Sequence, residues 1–255
     1  MMKRILFATD LDNTLLFSHR HRQPGDRCAE LWNGAEQGFF TPETVDLLPQ
    51  AARQVRLLPI TTRSIAQYQR IRWPAGALPR EALTANGAVL LRDGAIDRDW
   101  YDQSWELGRA RQGGRRDLLE RSSAREDVTS ARIVENMYVY AACSDAAAGE
   151  RCAAAWAQDA PFQMEVSGRK GYWFPPGIDK GTALRRAAGR YRPERILCAG
   201  DSVIDVPMLR RADLAMIPDG TLLPALPAER TLVCQENVRF PDFVLRTVLA
   251  QAGPG

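Results

Sequence analysis

Short apolar runs alternate with amphipathic stretches in the first and last parts of the chain. Four of these runs have the length of buried strands: residues 4–9, 55–60, 195–199 and 214–217. Helical patterns follow them, and two of these begin at the capping residues Thr41 and Asp179. Strands that alternate with helices predict an α/β fold with a doubly wound, mainly parallel sheet.

The pattern changes in the middle of the chain, where helix-like and strand-like stretches alternate. They lie at residues 104–121, 132–134, 137–141, 145–158 and 162–166. The alternation of apolar and polar residues in these strands is typical of an antiparallel sheet with one covered face. We therefore predict an α/β core made of residues 1–92 and 171–255, with an inserted α+β cap domain at residues 93–170.

Two segments are predicted as connections. Asn86-Gly87 lies between two short apolar stretches and has the composition of a tight turn. Ser18–Gly38 is polar and has few signals of helix or strand, so we expect a long loop, either functional or mobile.

The composition is that of an ordinary globular protein, with 45% hydrophobic and 25% charged residues. The formal net charge of +3 is too small to indicate a nucleic-acid partner, and no apolar run approaches the roughly 20 residues of a membrane span. Only three of the 34 basic residues are lysines: Lys3, Lys170 and Lys180. Because lysine is a compact point charge and arginine a planar fork, each lysine is a candidate for a specific role.

The cysteines and histidines show no metal-binding or disulfide pattern. The five cysteines are widely spaced, and His19 and His21 lie together in one polar segment. The basic and then apolar start of the chain is interrupted by Asp10 and Asp12 too early for a signal peptide. We therefore expect reduced thiols and a cytoplasmic protein.

Polar side chains follow the predicted parallel strands at the points where these strands end. They are Asp10, Asp12, Thr14, Thr61, Thr62, Arg63, Asn86, Asp201, Ser202 and Asp205, with Lys180 at the start of the helix before the 195–199 strand. In open α/β sheets, ligands bind outside the carboxyl ends of the strands. Each motif alone is weak, but their joint occurrence in this order indicates one site.

Four carboxylates in one small volume repel each other, and the repulsion is relieved either by a cation or by raised pKa values. Ligands that are all oxygen atoms favour a hard metal. A small number of carboxylates, together with water and a substrate phosphate, is typical of Mg²⁺ sites. A lysine and hydroxyl groups beside the metal suit a phosphoryl group. An aspartate can attack phosphorus while a second acid handles the proton, and Asp10 and Asp12 are spaced to divide those roles.

At these residues the chain resembles the haloacid dehalogenase superfamily of phosphatases. Four segments carry the resemblance: FATDLDNTLL at 7–16, Thr61 in PITTRS, Lys180 in DKGTAL, and GDSVIDVPML at 200–209. LTANGAVLLRDG at 83–94 and the insert after it resemble the branch with a large cap. That branch includes Cof-type sugar phosphatases, sucrose-phosphate phosphatase and mannosyl-3-phosphoglycerate phosphatase.

The resemblance implies a role for each motif residue. Asp10 is expected to be the nucleophile and Asp12 the general acid and base. Metal binding is assigned to Asp10, the carbonyl of Asp12, Asp201 and Asp205, and phosphoryl binding to Thr61 and Lys180. Asp12 itself argues against a dehalogenase, because that branch lacks the second aspartate. The chain departs from the pattern at Thr62, Ile204 and the long segment 18–38.

Substrate contacts are expected from the turn at Asn86 and from Arg169 and Lys170. For Asn86 the alternative is a purely structural turn, and for the basic pair it is an exposed hairpin tip. The leading hypothesis is a Mg²⁺-dependent phosphatase of a sugar phosphate or sugar phosphoglycerate, with a small phosphorylated molecule as partner and neither nucleic acid nor membrane. A phosphomutase or phosphotransferase, or a binding module that does not catalyse, stays open, and the oligomeric state is not predicted.

Overall fold

The computed structural model describes residues 5–109, 113–156 and 162–253, and a five-stranded sheet lies at its centre. In spatial order the strands are β15 (Thr231–Val233), β14 (Leu214–Ile217), β13 (Arg195–Ala199), β1 (Ile5–Thr9) and β5 (Arg56–Pro59). All neighbouring pairs are parallel. The apolar runs therefore form the parallel sheet that their pattern predicts.

Helices cover both faces of this sheet. They are α1 (Pro42–Gln54) and α8 (Phe240–Ala252) on one face, and α6 (Lys180–Tyr191) and α7 (Val206–Leu209) on the other. Successive residues of β1 point to opposite faces, so Phe7 packs in one core cluster with Leu48, and Leu6 packs in the other with Leu184. The doubly wound α/β arrangement is confirmed.

An antiparallel hairpin continues the sheet at the β5 edge. After the short α2 (Ile65–Gln69) come β6 (Glu81–Thr84), β7 (Val89–Arg92) and β8 (Ala95–Ile96). Ile60, just past β5, forms a parallel bridge with Leu83 of β6, and the Thr61 amide donates to the Leu83 carbonyl at 2.9 Å. The turn at Asn86 is thereby brought to the carboxyl edge of the parallel strands.

A separate four-stranded antiparallel sheet follows α3 (Arg98–Gly108) in the chain. Its spatial order is β11 (Gln163–Ser167), β12 (Lys170–Phe174), β10 (Tyr138–Cys143) and β9 (Val128–Val134). α4 (Gly114–Ser123) and α5 (Ala146–Trp156) pack on one face through Leu118, Cys152 and Trp156. Tyr138, Tyr172 and Phe174 of the other face belong to the same core cluster as Phe7 of β1. Both faces of the central strands β10 and β12 are therefore buried, whereas the alternation predicts one covered face.

The prediction of a long loop at residues 18–38 is wrong. The segment forms a three-stranded antiparallel sheet of β2 (Phe17–Ser18), β4 (Ala35–Phe40) and β3 (Arg27–Trp32). Buried Ala29 and Phe40 anchor it to the core. The missed signal is the turn at Asn33-Gly34, whose φ angles of 49° and 80° match a two-residue hairpin connection.

The helix predicted at 104–121 falls on two helices, α3 and α4, with residues 110–112 outside the described ranges. Lys3 also lies outside them. The predicted domain boundary after residue 170 cuts β12, and the division into core and cap stays a prediction. Within the described ranges, no helix combines the length and apolarity that crossing a bilayer requires.

Candidate active site

The carboxyl edge of the parallel sheet brings together residues from distant parts of the chain. Asp10 directly follows β1, and its amide donates to the Ala199 carbonyl of β13 at 2.9 Å. Lys180 opens α6, because Asp179 caps that helix by accepting a hydrogen bond from the Thr182 amide at 2.8 Å. Asp205 follows β13 in a short helical turn.

The ammonium of Lys180 is buried between two carboxylates. Its Nζ lies 2.5 Å from Oδ1 of Asp10 and 2.5 Å from Oδ1 of Asp205, and the residue is 1% exposed. Burial lowers the pKa of Lys180, but the two carboxylates outweigh this and raise it above its ordinary value. Lys180 is therefore a fixed positive charge at neutral pH.

One lysine does not neutralise the acids around it. Burial raises the pKa of Asp10 well above its ordinary value, with Asp205 and Asp201 adding to the rise and Lys180 opposing it. Burial and Asp205 raise the pKa of Asp201 to about 7. Burial is the largest cause of both rises and the neighbouring carboxylates add to it, whereas a positive charge such as that of Lys180 lowers both pKa values.

Three of these carboxylates have the geometry of a cation site. Asp10, Asp201 and Asp205 each offer one oxygen, and these oxygens lie within 4.8 Å of one another. Oδ2 of Asp205 accepts hydrogen bonds from the amides of Asp201 and Ser202 and from the Ser202 hydroxyl at 3.0–3.1 Å, which fixes this carboxylate. The donor set is oxygen only and fits Mg²⁺.

The side chain of Asp12 stands apart from this cluster. Arg63 binds it in a bidentate pair, with Nη2 2.7 Å from Oδ1 and Nε 3.0 Å from Oδ2. The same guanidinium donates to the buried Glu30 of β3 at 2.9 Å, and Arg70 donates to Glu30 from the other side. Burial raises the pKa of Asp12, but the charge and hydrogen bonds of Arg63 lower it to about 2.

Thr61 is held by the turn at residues 85–87. The amide of Asn86 donates to the Thr61 carbonyl at 2.8 Å, and the Thr61 hydroxyl accepts from the Arg63 amide at 3.1 Å. The Asn86 side chain is buried and donates to the Ile178 carbonyl, two residues before Lys180. The contacts seen for Asn86 are thus those of a turn that ties the Thr61 loop to the start of α6.

A cavity of about 640 Å³ lies between the antiparallel sheet and the β2–β4–β3 sheet, and Asp12 lines it, whereas Asp10, Lys180, Asp201 and Asp205 do not. Its lining includes Asp12, Thr62, Arg63, Trp32, Gln37, Arg132, Tyr138, Tyr140, Lys170 and Tyr172. The Tyr138 hydroxyl donates to the Thr62 carbonyl at 2.5 Å, which docks the antiparallel sheet on the Thr61 loop. Of the predicted basic pair, Lys170 lines the cavity and Arg169 is exposed outside its lining.

The structure thus brings Asp10, Asp201, Asp205 and Lys180 into one cluster, with Asp12 and Thr61 beside it. Sequence reasoning missed Glu30, Trp32 and Arg132. Arg63 directly follows the predicted Thr61-Thr62 pair, and its position there was the available signal for its role. For Glu30 no signal existed, because its pairing joins β3 to the Arg63 loop across 33 positions.

Comparison with known proteins gives structural neighbours only. No protein-family model and no curated protein matches the chain. It resembles a sucrose-phosphatase from Synechocystis solved with sucrose and phosphate, with a TM-score of 0.59, 16% identity, and coverage of 99% of this chain and 98% of that one.

Two further solved structures match the fold to a similar extent. The C-terminal domain of the trehalose-6-phosphate phosphatase of C. albicans gives a TM-score of 0.60 at 16% identity, covering 99% of this chain and 93% of that one. A haloacid dehalogenase-like hydrolase from B. subtilis gives 0.57 at 16% identity, covering 95% and 99%. The chain has the fold of the haloacid dehalogenase-like hydrolases.

Proposed function

We propose that this protein is a Mg²⁺-dependent phosphatase that hydrolyses a small phosphorylated metabolite, of the sugar phosphate or sugar phosphoglycerate class. The observation that carries the proposal is the buried Lys180 ammonium between Asp10 and Asp205, with Asp201 completing a three-carboxylate group. Two structural neighbours named as sugar-phosphate phosphatases support the substrate class.

The proposed reaction has two displacements on phosphorus. A carboxylate oxygen of Asp10 forms a bond to phosphorus while the ester P–O bond breaks, and Asp12 gives its proton to the leaving oxygen. Water then attacks the aspartyl-phosphate, Asp12 takes the proton of that water, and phosphate leaves. Lys180 and the Thr61 hydroxyl offset the charge on the phosphoryl oxygens.

Asp10, Asp201 and Asp205 would hold Mg²⁺, with the Asp12 carbonyl as the expected fourth protein ligand, and the bound ion would supply positive charge beside the phosphoryl group. The pairing of Asp12 with Arg63 affects the transfer of the proton from Asp12 to the leaving oxygen. A carboxyl group held by an arginine is ionised at neutral pH, so Asp12 has to leave Arg63 before it carries a proton to the leaving oxygen.

The test is phosphate release from a panel of trehalose 6-phosphate, sucrose phosphate, phosphoglycerates, nucleotides and p-nitrophenyl phosphate. We expect release with Mg²⁺ and none with EDTA, and loss of turnover in Asp10→Asn. Asp46→Asn, an exposed aspartate on α1, is the matched control and is expected to be fully active. Normal turnover by Asp10→Asn excludes Asp10 as nucleophile.

Phosphorus NMR of the products separates the alternatives. Free phosphate supports the phosphatase, whereas transfer to a second hydroxyl without net phosphate release identifies a mutase or phosphotransferase. Binding of panel members without turnover of any of them identifies a module that does not catalyse.

A further inference from the structure

The cavity wall formed by the antiparallel sheet has one ordered row of side chains. The strand register places Arg132 of β9 opposite Tyr140 of β10, and Tyr140 opposite Tyr172 of β12. Directly opposed residues share a face, and all three line the cavity. The Arg132 guanidinium lies 4.4 Å from the centre of the Tyr140 ring, and the Tyr140 and Tyr172 rings meet edge to face. Stacking on this row orders Arg132 and leaves its N–H edge available.

The charges that line the cavity are unevenly paired. Its two acids, Asp12 and Glu30, are bound by Arg63 and Arg70. Arg132 and Lys170 also line it, and neither forms a salt bridge with a carboxylate of residues 5–109, 113–156 or 162–253. Two cations without acidic partners therefore face this cavity.

Lys170 lies on the same face as the row, two residues from Tyr172 along β12. Lys170 lines the same cavity as Asp12, the proposed general acid. An anion near Lys170 would thus share this cavity with the group that protonates the leaving oxygen. A cavity of about 640 Å³ is much larger than a phosphoryl group and has the size of a small-molecule site.

We propose that Arg132 and Lys170 bind an anionic group on the leaving part of the substrate, the part released as an alcohol. This inference rests on the proposed phosphatase function and narrows its substrates to esters that carry a second negative charge, as a carboxylate or a second phosphate. Tyr140 and Tyr172 form the apolar floor against which the carbon skeleton packs.

Three esters that share one six-carbon chain test the inference: glucitol 6-phosphate, 6-phosphogluconate and glucitol 1,6-bisphosphate. They carry a hydroxyl, a carboxylate and a phosphate at carbon 1. We expect kcat/KM at least about tenfold higher for an anionic ester than for glucitol 6-phosphate. The anionic ester with the higher kcat/KM identifies whether Arg132 and Lys170 bind a carboxylate or a phosphate.

Arg132→Gln is expected to remove most of this preference by raising KM for the anionic esters more than KM for glucitol 6-phosphate. Arg116→Gln, an exposed arginine on α4 behind the same sheet, is the matched control and keeps the preference. Equal kcat/KM for all three esters, or an equal loss on all three in Arg132→Gln, overturns the inference.

The inference has a second readout that needs no turnover. Gluconate is expected to raise Tm more than glucitol does at the same concentration, and Arg132→Gln to abolish the difference. If neither the three esters nor p-nitrophenyl phosphate is hydrolysed, the proposed phosphatase function fails. The Tm comparison between gluconate and glucitol then tests the anion site by itself, and equal increases in Tm reject that site.

Discussion

The ammonium of Lys180 lies 2.5 Å from the carboxylate of Asp10, although the two residues are 170 positions apart in the chain. We expect Lys180→Arg to lower kcat by about 100-fold or more, because a planar guanidinium does not fit an enclosed site built for a point charge. Steady-state kinetics with saturating Mg²⁺ check this. Arg185→Met, at an exposed position on the same helix, serves as the control. An unchanged kcat in Lys180→Arg contradicts the role of Lys180.

Removal of one partner from the buried Arg63–Glu30 pair is expected to be strongly destabilising. The Glu30 side chain is 4% exposed, so Arg63→Met leaves a buried carboxylate with Arg70 as its remaining partner. We expect a loss of about 3 kcal/mol in the free energy of unfolding, measured in urea. Adding Glu30→Gln should recover part of the loss, because the unpaired charge is removed.

A surface pair supplies the comparison for this experiment. Arg80 and Asp93 also form a salt bridge, but their side chains are 84% and 56% exposed. Arg80→Met is expected to cost much less than Arg63→Met, because water screens an exposed ion pair. Equal losses from Arg63→Met and Arg80→Met would show that burial of Glu30 does not matter.

Gly87 sets how closely the turn at residues 85–87 approaches α6. Its φ is +87°, and a Cβ there would lie 2.2 Å from the Cβ of Ala183. Gly87→Ala is expected to cost about 3 kcal/mol and to lower kcat, because α6 carries Lys180. Gly94 has nearly the same φ, +83°, with open space around it, so Gly94→Ala should cost only about 1 kcal/mol and leave kcat unchanged. Chemical unfolding and kinetics of both variants test the difference, and equal effects would refute it.

Asp97 links stability to pH. Burial raises its pKa, but the Trp100 amide and Arg190 outweigh this, so its folded-state pKa lies below the ordinary value. An acid with a lowered pKa stabilises the folded state above its unfolded-state pKa, and this contribution is lost as the pH falls through the folded-state value. Asp97→Asn keeps a helix-capping oxygen and loses the charge. We expect the original protein to be the more stable at pH 7, and the difference to shrink as the pH falls below about 4 and to vanish once the pH is below the folded-state pKa. A pH-independent difference in Tm would contradict this account.

The sequence predicted best those site residues that directly follow a buried parallel strand. A buried parallel strand has a single continuous apolar run, and the residue after it necessarily lies at the ligand-binding edge, so Asp10, Thr61 and Asp201 could be placed together without a structure. Lys180 joined them because Asp179 marks the start of its helix.

The walls of the cavity could not be predicted in the same way. Arg132 faces the cavity because of the register of β9 against β10, and a register shift of one residue would turn it to the other face. The position of Trp32 in the wall depends on the β3–β4 hairpin. The sequence of this hairpin is mostly polar, and its one recognisable turn signal is Asn33-Gly34. Pairings such as Arg63 with Glu30 join segments whose relative position only the folded chain defines.

The β2–β4–β3 sheet and the antiparallel sheet hold the two sides of the cavity, while the reacting groups sit on neither of them. Mutations at Trp32 or Gln37 on one side, or at Arg132 on the other, can therefore accumulate without moving the atoms around Asp10. Evolution can change which molecule this scaffold accepts by altering such positions, whereas Glu30 and Tyr138 of the same two sheets bind Arg63 and Thr62 and are constrained by the reaction itself.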